Sequence, residues 1–356
     1  MNNFNLQLFA SADYWRKREE DNLKRNLLEE KEYEQEIQRI YKDMLESVQG
    51  EIDRFYRQYA NKENITLAEA KKRVSKLDIE RYERKAEKYV KAAEADRAAN
   101  GGKTNKRGYY FSEKANEEMR LYNLTMKVNR LEMLKANIGL ELIKGHAELE
   151  TFMSDILQSR TEAELERQAG ILGKTIIGNA KKAHAIVNAS FNNATFSDRI
   201  WAYQGLMKND LAKLLQTGLI QGKNPRVLAR DLRKYFIGEE YLKNGKKGAV
   251  YNAERLMRTE LARVQTEAQK QSYIRNGFEE YTYIACGASD CCDICKALDG
   301  KHFKIKDMMP GENAPPTHPS CHCSTSAYED SDDYEEWLSF LEQGRKNASR
   351  NRAKKK

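Results

Sequence analysis

The sequence predicts a mainly α protein with a small α+β module at its C-terminal end: long N-terminal helices, a helical middle, then a β-meander. Three observations carry this reading. Only five prolines occur and the first is Pro225, so everything before it lacks the strongest helix breaker and is rich in Glu, Lys, Arg, Ala and Leu. Apolar residues in that stretch recur mostly at three- and four-residue intervals. All six cysteines fall between Cys286 and Cys323, beside His302, His318 and His322.

The elements follow in order. Leu23, Leu27, Tyr33, Ile37, Ile40, Tyr41, Met44, Val48, Ile52 and Phe55 mark one face of a long amphipathic helix, helical in period and not strictly heptad. Capping boxes at Thr66-x-x-Glu69 and Thr161-x-x-Glu164 predict two further helix starts, and the stretch around Gly101 and Gly102 reads as a loop. From Phe196 the pattern is two helices parted by Gly222, the second capped by Asn224 with Pro225 at its first position. Trp201 and Tyr203 read as core anchors at the start of this region. A helix from about Ala253 to Arg275 stops at Asn276-Gly277, and the alternating aromatic run from Phe278 to Ala285 reads as a strand. These readings divide the chain into a helical arm (1–100), a helical middle (101–174), a C-terminal domain (175–340) and a tail (341–356).

Charge is unevenly placed. The net charge is +8, and Arg345, Lys346, Arg350, Arg352, Lys354, Lys355 and Lys356 supply seven positive charges with no acid after Glu342. The tail is therefore expected to be disordered and to bind double-stranded DNA through phosphates. Just before it, Glu329, Asp330, Asp332, Asp333, Glu335 and Glu336 form an acidic cluster. No run approaches the roughly 18 apolar residues of a membrane span, and the start, with Asn2, Asn3 and Asn5, lacks a signal-peptide pattern. No membrane partner is expected, and assembly in a cytoplasm is.

In such a compartment thiols stay reduced, which argues against a disulfide framework. Cys292 and Cys295 have the two-residue spacing that lets two thiolates on one turn reach a single tetrahedral metal, and His318, Cys321 and Cys323 can complete it. The predicted cofactor is a structural Zn2+, stapling the β-meander between residues 286 and 323. Whether Cys321 or Cys323 is the last ligand stays open, because either can reach after a turn at Pro319-Ser320. Cys286 and Cys291 read as packing residues. Asp299-Gly300 favours a tight turn, and Pro310, Pro315, Pro316 and Pro319 stiffen the return. No catalytic residue is assigned. His146-Ala-Glu148 lies far upstream of the cysteines, Cys291 stands where a deaminase pattern has proline, and the helical zinc-protease motif is missing.

The run from Phe196 to Trp201, Arg258-Thr259-Glu260 on a later helix, then Cys292, Cys295, Leu298 to Lys301, Pro315, Pro316, His318, Pro319, Cys321 and Cys323 together resemble the C-terminal domain of Mu F-like phage head-morphogenesis proteins, over about Thr175 to Tyr328. His322 departs from the family pattern, which usually has Arg there. The resemblance implies a non-enzymatic, low-copy minor capsid protein in the virion head, associated with the portal protein and other capsid proteins, assisting head assembly or genome delivery. A DNA-binding accessory protein acting through the tail is the alternative; a metal-dependent hydrolase or toxin-like enzyme is a third. Arg258 and Glu260, two apart on a helix, either face solvent or include one buried anchor for the cysteine module.

Overall fold

The structure is a computed structural model that describes residues 12–59, 69, 76–99, 130–172, 179–221, 223–237, 248–287 and 291–328. It is mainly helical with one small C-terminal antiparallel sheet, as the sequence predicts. The elements are α1 (Ala12–Tyr59), α2 (Lys76–Ala99), α3 (Arg130–Leu172), α4 (Asn179–Val187), α5 (Phe196–Ile220), α6 (Pro225–Ile237), α7 (Ala249–Asn276), β1 (Glu280–Ile284), α8 (Asp293–Leu298), β2 (His302–Lys304) and β3 (Ser324–Tyr328). No helix among the described residues is long and apolar enough to cross a membrane. Two compact units result. One draws on residues up to Lys31, Ile156–Ala189 and Arg255 onward; the other on Glu32–Asp155 and Ser190–Glu254.

In the second unit the apolar stripe of α1 is buried as expected at Ile37, Ile40, Tyr41, Met44, Val48, Ile52 and Phe55. Tyr82 and Ala86 of α2, Met133, Ala136, Leu140, Ile143 and Ala147 of α3, and Trp201 of α5 form a continuous cluster. Trp201 also donates its indole N–H to Glu150 at 3.0 Å, so its polar edge is satisfied while its ring packs. Tyr203 is exposed and is not a core anchor. Two helical positions rotate a side chain by roughly 200°, which sends it to the far side from Trp201. Thr195 caps α5 in a reciprocal box with Asp198, and Asn224 Oδ1 accepts the Val227 N–H at 3.0 Å to start α6 behind Pro225.

The Thr161 box does not open a helix. It sits inside the unbroken α3, where Thr161 is fully buried and its hydroxyl donates to the Leu157 carbonyl at 2.6 Å. A threonine satisfied by the carbonyl four residues back needs no helix end, and the apolar spacing of Met153, Leu157 and Leu165 runs straight through. Thr66, Gly101, Gly102 and the tail lie outside the described residues.

The first unit is organised around α7 and the sheet. Strand order is β2-β1-β3, with both neighbours antiparallel to β1: Tyr281 faces Phe303 on one side and Ala327 on the other. The strands thus do not follow the sequential order of a meander. The first strand is central because the proline-bearing return from residue 305 to 323 carries the chain across to its far edge. Tyr273, Phe278, Tyr281, Ile305, Met308, Ala314 and Ala327 form the apolar core beside Ile171 and Leu172.

What α1 buries in this unit is polar. Glu19, Asn22, Asn26 and Glu30, at helical spacing, are all buried. Glu19 accepts from Arg167 at 2.8 Å and from the Ser324 hydroxyl at 2.7 Å; Gln269 bridges Glu164 and Ser324 at 3.0 Å each and accepts from Thr325 at 2.7 Å. Tyr273 donates to the Thr325 carbonyl at 2.9 Å. The network ties α1, α3 and α7 to β3, the strand that follows Cys323.

Candidate metal centre

The site grows from two chain reversals beneath β1. The first is the turn entering α8. Cys292 is its N-cap, and its sulfur accepts the Cys295 N–H at 3.4 Å. This local bond orients both sulfurs to one side of the turn. Asp299 closes the same element: its carboxylate accepts the Ala285 N–H at 2.9 Å and pairs with Arg16 at 2.9 Å. Gly300, at φ 72°, donates its N–H to the Tyr283 carbonyl at 2.9 Å. The Leu-Asp-Gly-Lys stretch is therefore the joint that sets α8 against the strand, and only glycine adopts that φ without cost.

The second reversal runs from His318 to Cys321, whose N–H returns to the His318 carbonyl at 3.2 Å with Ser320 at φ 61°. The Ser320 N–H donates to the Thr259 hydroxyl at 3.1 Å. Of Arg258-Thr259-Glu260, the middle residue thus makes a direct hydrogen bond to the cysteine module. Glu260 is fully buried, paired with Arg263 at 2.6 Å, while the Arg263 guanidinium donates to the Ile186 and Val187 carbonyls at 2.9 Å each, closing the end of α4. Replacing Thr259 by valine keeps the shape and removes the acceptor. We expect a loss of about 1 kcal/mol and several-fold faster metal release to a competing chelator; an unchanged release rate would mean the turn holds itself.

All six cysteines are free thiols. Their ligand atoms fall into three trios, each within 4.8 Å of one another: Cys292, Cys295 and His318; Cys295, Cys321 and Cys323; Cys286, Cys291 and Cys323. The structure thus brings together the five residues singled out from sequence through the shared Cys295. Cys286 and Cys291, read from sequence as packing residues, lie within ligand reach of Cys323. Their signal was proximity in sequence to the C-x-x-C turn, which spacing rules assign to a single tetrahedron and no more.

The surroundings suit metal-bound sulfur. Cys295 Sγ lies 3.9 Å from Cys321 Sγ, and the hydroxyls of Thr317 and Tyr283 are 3.0 and 3.4 Å from it; the Cys286 N–H donates to Cys323 Sγ at 3.4 Å. The hydrogen bond from Cys323 pulls the Cys321 thiol down to about 4, and the same bond pushes Cys323 up. Burial raises Cys295 and Cys291 to about 11. A cation that replaces the protons of sulfurs packed this closely would relieve their crowding. His318 Nδ1 is 2.9 Å from the Pro319 carbonyl. That acceptor requires the proton on Nδ1 and leaves Nε2 as the lone-pair donor.

His322 points away from this set. Its Nε2 meets Glu30 at 3.1 Å, a hydrogen bond that raises its pKa above the ordinary histidine value. His146 sits in α3, its Nδ1 against the Leu142 carbonyl at 2.8 Å, with its pKa lowered to about 4 by burial. It takes no part in the cluster.

Comparison with known proteins adds one match. No curated protein and no solved structure matches the chain. Residues 209–326 match the family model described as Phage Mu protein F like protein, from within α5 to within β3, a span that contains every cysteine of the cluster. Over that span, about a third of the chain, the sequence is similar to the Phage Mu protein F like family, the family its cysteine and histidine motif resembles.

Proposed function

We propose that this chain is a minor capsid, head-morphogenesis protein of a tailed bacteriophage. It is present at low copy in the virion head, contacts the portal and other capsid proteins after assembly in the host cytoplasm, and holds a structural Zn2+ that staples its C-terminal module. The observation that carries this reading is the coincidence of the family match with the cysteine cluster. The donors suit zinc: thiolates and one imidazole, within 4.8 Å of one another in each trio, with Cys295 and Cys321 Sγ 3.9 Å apart against the roughly 3.8 Å sulfur spacing of a tetrahedron with bonds of about 2.3 Å. A thiolate-rich set that fills four positions leaves none for an activated water, which supports a structural role over a hydrolytic one.

The helical arm before residue 101 supplies the docking surface for capsid partners, and the basic tail contacts packaged DNA. The tail's share of the charge supports the second point: Arg345 to Lys356 hold most of the net +8. The test is incorporation. Cells producing the phage structural proteins with a tagged copy of this chain should yield gradient-purified heads that contain it at a few copies per portal, and a chain truncated at Gln343 should enter heads while binding duplex DNA with a much weaker salt dependence. Heads free of the chain under conditions where the portal is incorporated would remove the capsid assignment.

A further inference from the structure

The single-zinc reading leaves donors over. Cys292, Cys295 and His318 make one trio, while Cys286, Cys291 and Cys323 make another, with no member in common. Each trio is one ligand short of a tetrahedron. The sulfur that belongs to neither is Cys321. It lies 3.9 Å from Cys295 of the first trio and within 4.8 Å of Cys323 of the second.

We propose that the module binds two zinc ions in a thiolate cluster, with Cys321 as a bridging ligand shared between a Cys292, Cys295, His318 site and a Cys286, Cys291, Cys323 site. The proposal rests on the structural-zinc reading above and extends it by one ion. Ligand arithmetic favours it: two tetrahedral ions need eight positions, and seven donors with one bridge fill them without a water. Burial agrees, because Cys291, Cys295, Cys321 and Cys323 are all buried. Seven donors around a single four-coordinate ion would leave three idle; thiolates also need compensating charge, which a second divalent ion supplies. The N–H donated by Cys286 to the Cys323 sulfur is the kind of bond that orients a ligating thiolate, and it joins two members of the second site directly. No carboxylate stands among the donors, so soft divalent ions such as zinc and cadmium are favoured over magnesium or calcium.

The experiment is metal counting on the full-length protein, purified without chelator. Two zinc ions per chain are expected, falling to one in the Cys286→Ser/Cys291→Ser double variant. Reconstitution of the native protein with cadmium-113 should give two resonances with scalar coupling carried through the bridging sulfur. That readout does not depend on any variant folding. One metal ion per native chain, or two uncoupled cadmium resonances, would overturn the bridged pair while leaving the first zinc in place. Two ions retained by the double variant would overturn the assignment of Cys286 and Cys291. A native protein with no metal at all would remove both this proposal and the zinc reading beneath it.

Discussion

Arg167→Met should destabilise the unit containing α7 and the sheet by about 3–5 kcal/mol near neutral pH, the usual cost of leaving buried charge unpaired. Arg167 pairs with Glu19 at 2.8 Å and Glu164 at 2.7 Å, and both carboxylates are nearly inaccessible to water. Burial already raises the Glu19 carboxyl above its ordinary value of 4.5, against the pull of Arg167 and with a further push from Glu164. Without the guanidinium that rise grows. The folded variant then holds protons more tightly than the unfolded chain, so its deficit is small below about pH 4.5 and widens as pH climbs through the folded-state value. Denaturant titration at pH 4.5 and 7.5 would show this, and adding Glu19→Gln should recover part of the loss at the higher pH. A deficit under about 1 kcal/mol at pH 7.5 would mean that water reaches these groups and that the network is not buried in solution. Metal content should be unchanged throughout.

Cys295→Ser should have the opposite signature. Cys295 belongs to two of the three trios and lies 3.9 Å from Cys321, so its loss weakens two of the three arrangements in which the cluster can hold an ion. We expect metal content to fall by at least half and the module from β1 to β3 to become protease-sensitive at 25 °C, a cost of at least about 3 kcal/mol. Helical content should change little, since the long helices pack apolar residues such as Ile37, Tyr41 and Val48. A variant with parental metal content and parental proteolysis would place the ligand set elsewhere.

The helices were legible because proline-free sequence with a 3.6-residue apolar period has few other solutions. The turn chemistry at Asn224-Pro225 and Asn276-Gly277 was legible for the same local reason. Helix α1 was legible from Leu23 on, but its buried face before Lys31 was not: Leu23 and Leu27 are only half-buried, and the buried residues are Glu19, Asn22, Asn26 and Glu30. A polar stripe reads as solvent-facing until the partners are known, and those partners stand far away in sequence: Ser324 is 305 positions from Glu19, and His322 is 292 from Glu30. Thr161-x-x-Glu164 misled because its hydroxyl bond is made within one helix, which sequence cannot distinguish from a cap. At the cysteine cluster, spacing brought forward five residues that the structure places close together, and it read Cys286 and Cys291 as packing residues. Local spacing reports which sulfurs share a turn; it does not report that β1 and the return to β3 bring Cys286 and Cys291 to Cys323. Thr259 was passed over in favour of its charged neighbours because a hydroxyl anchor carries no signal beyond its own residue type.

We propose that a zinc ion held by the cluster ties the C-terminal module together and performs no chemistry. Hydrogen exchange on the native protein before and after chelation tests it most directly. Removal of zinc should abolish protection in β1, α8 and β3 while amides of α1 between Ile37 and Phe55 keep theirs, and re-addition of zinc should restore it. Protection in the strands that survives complete loss of metal would contradict the account.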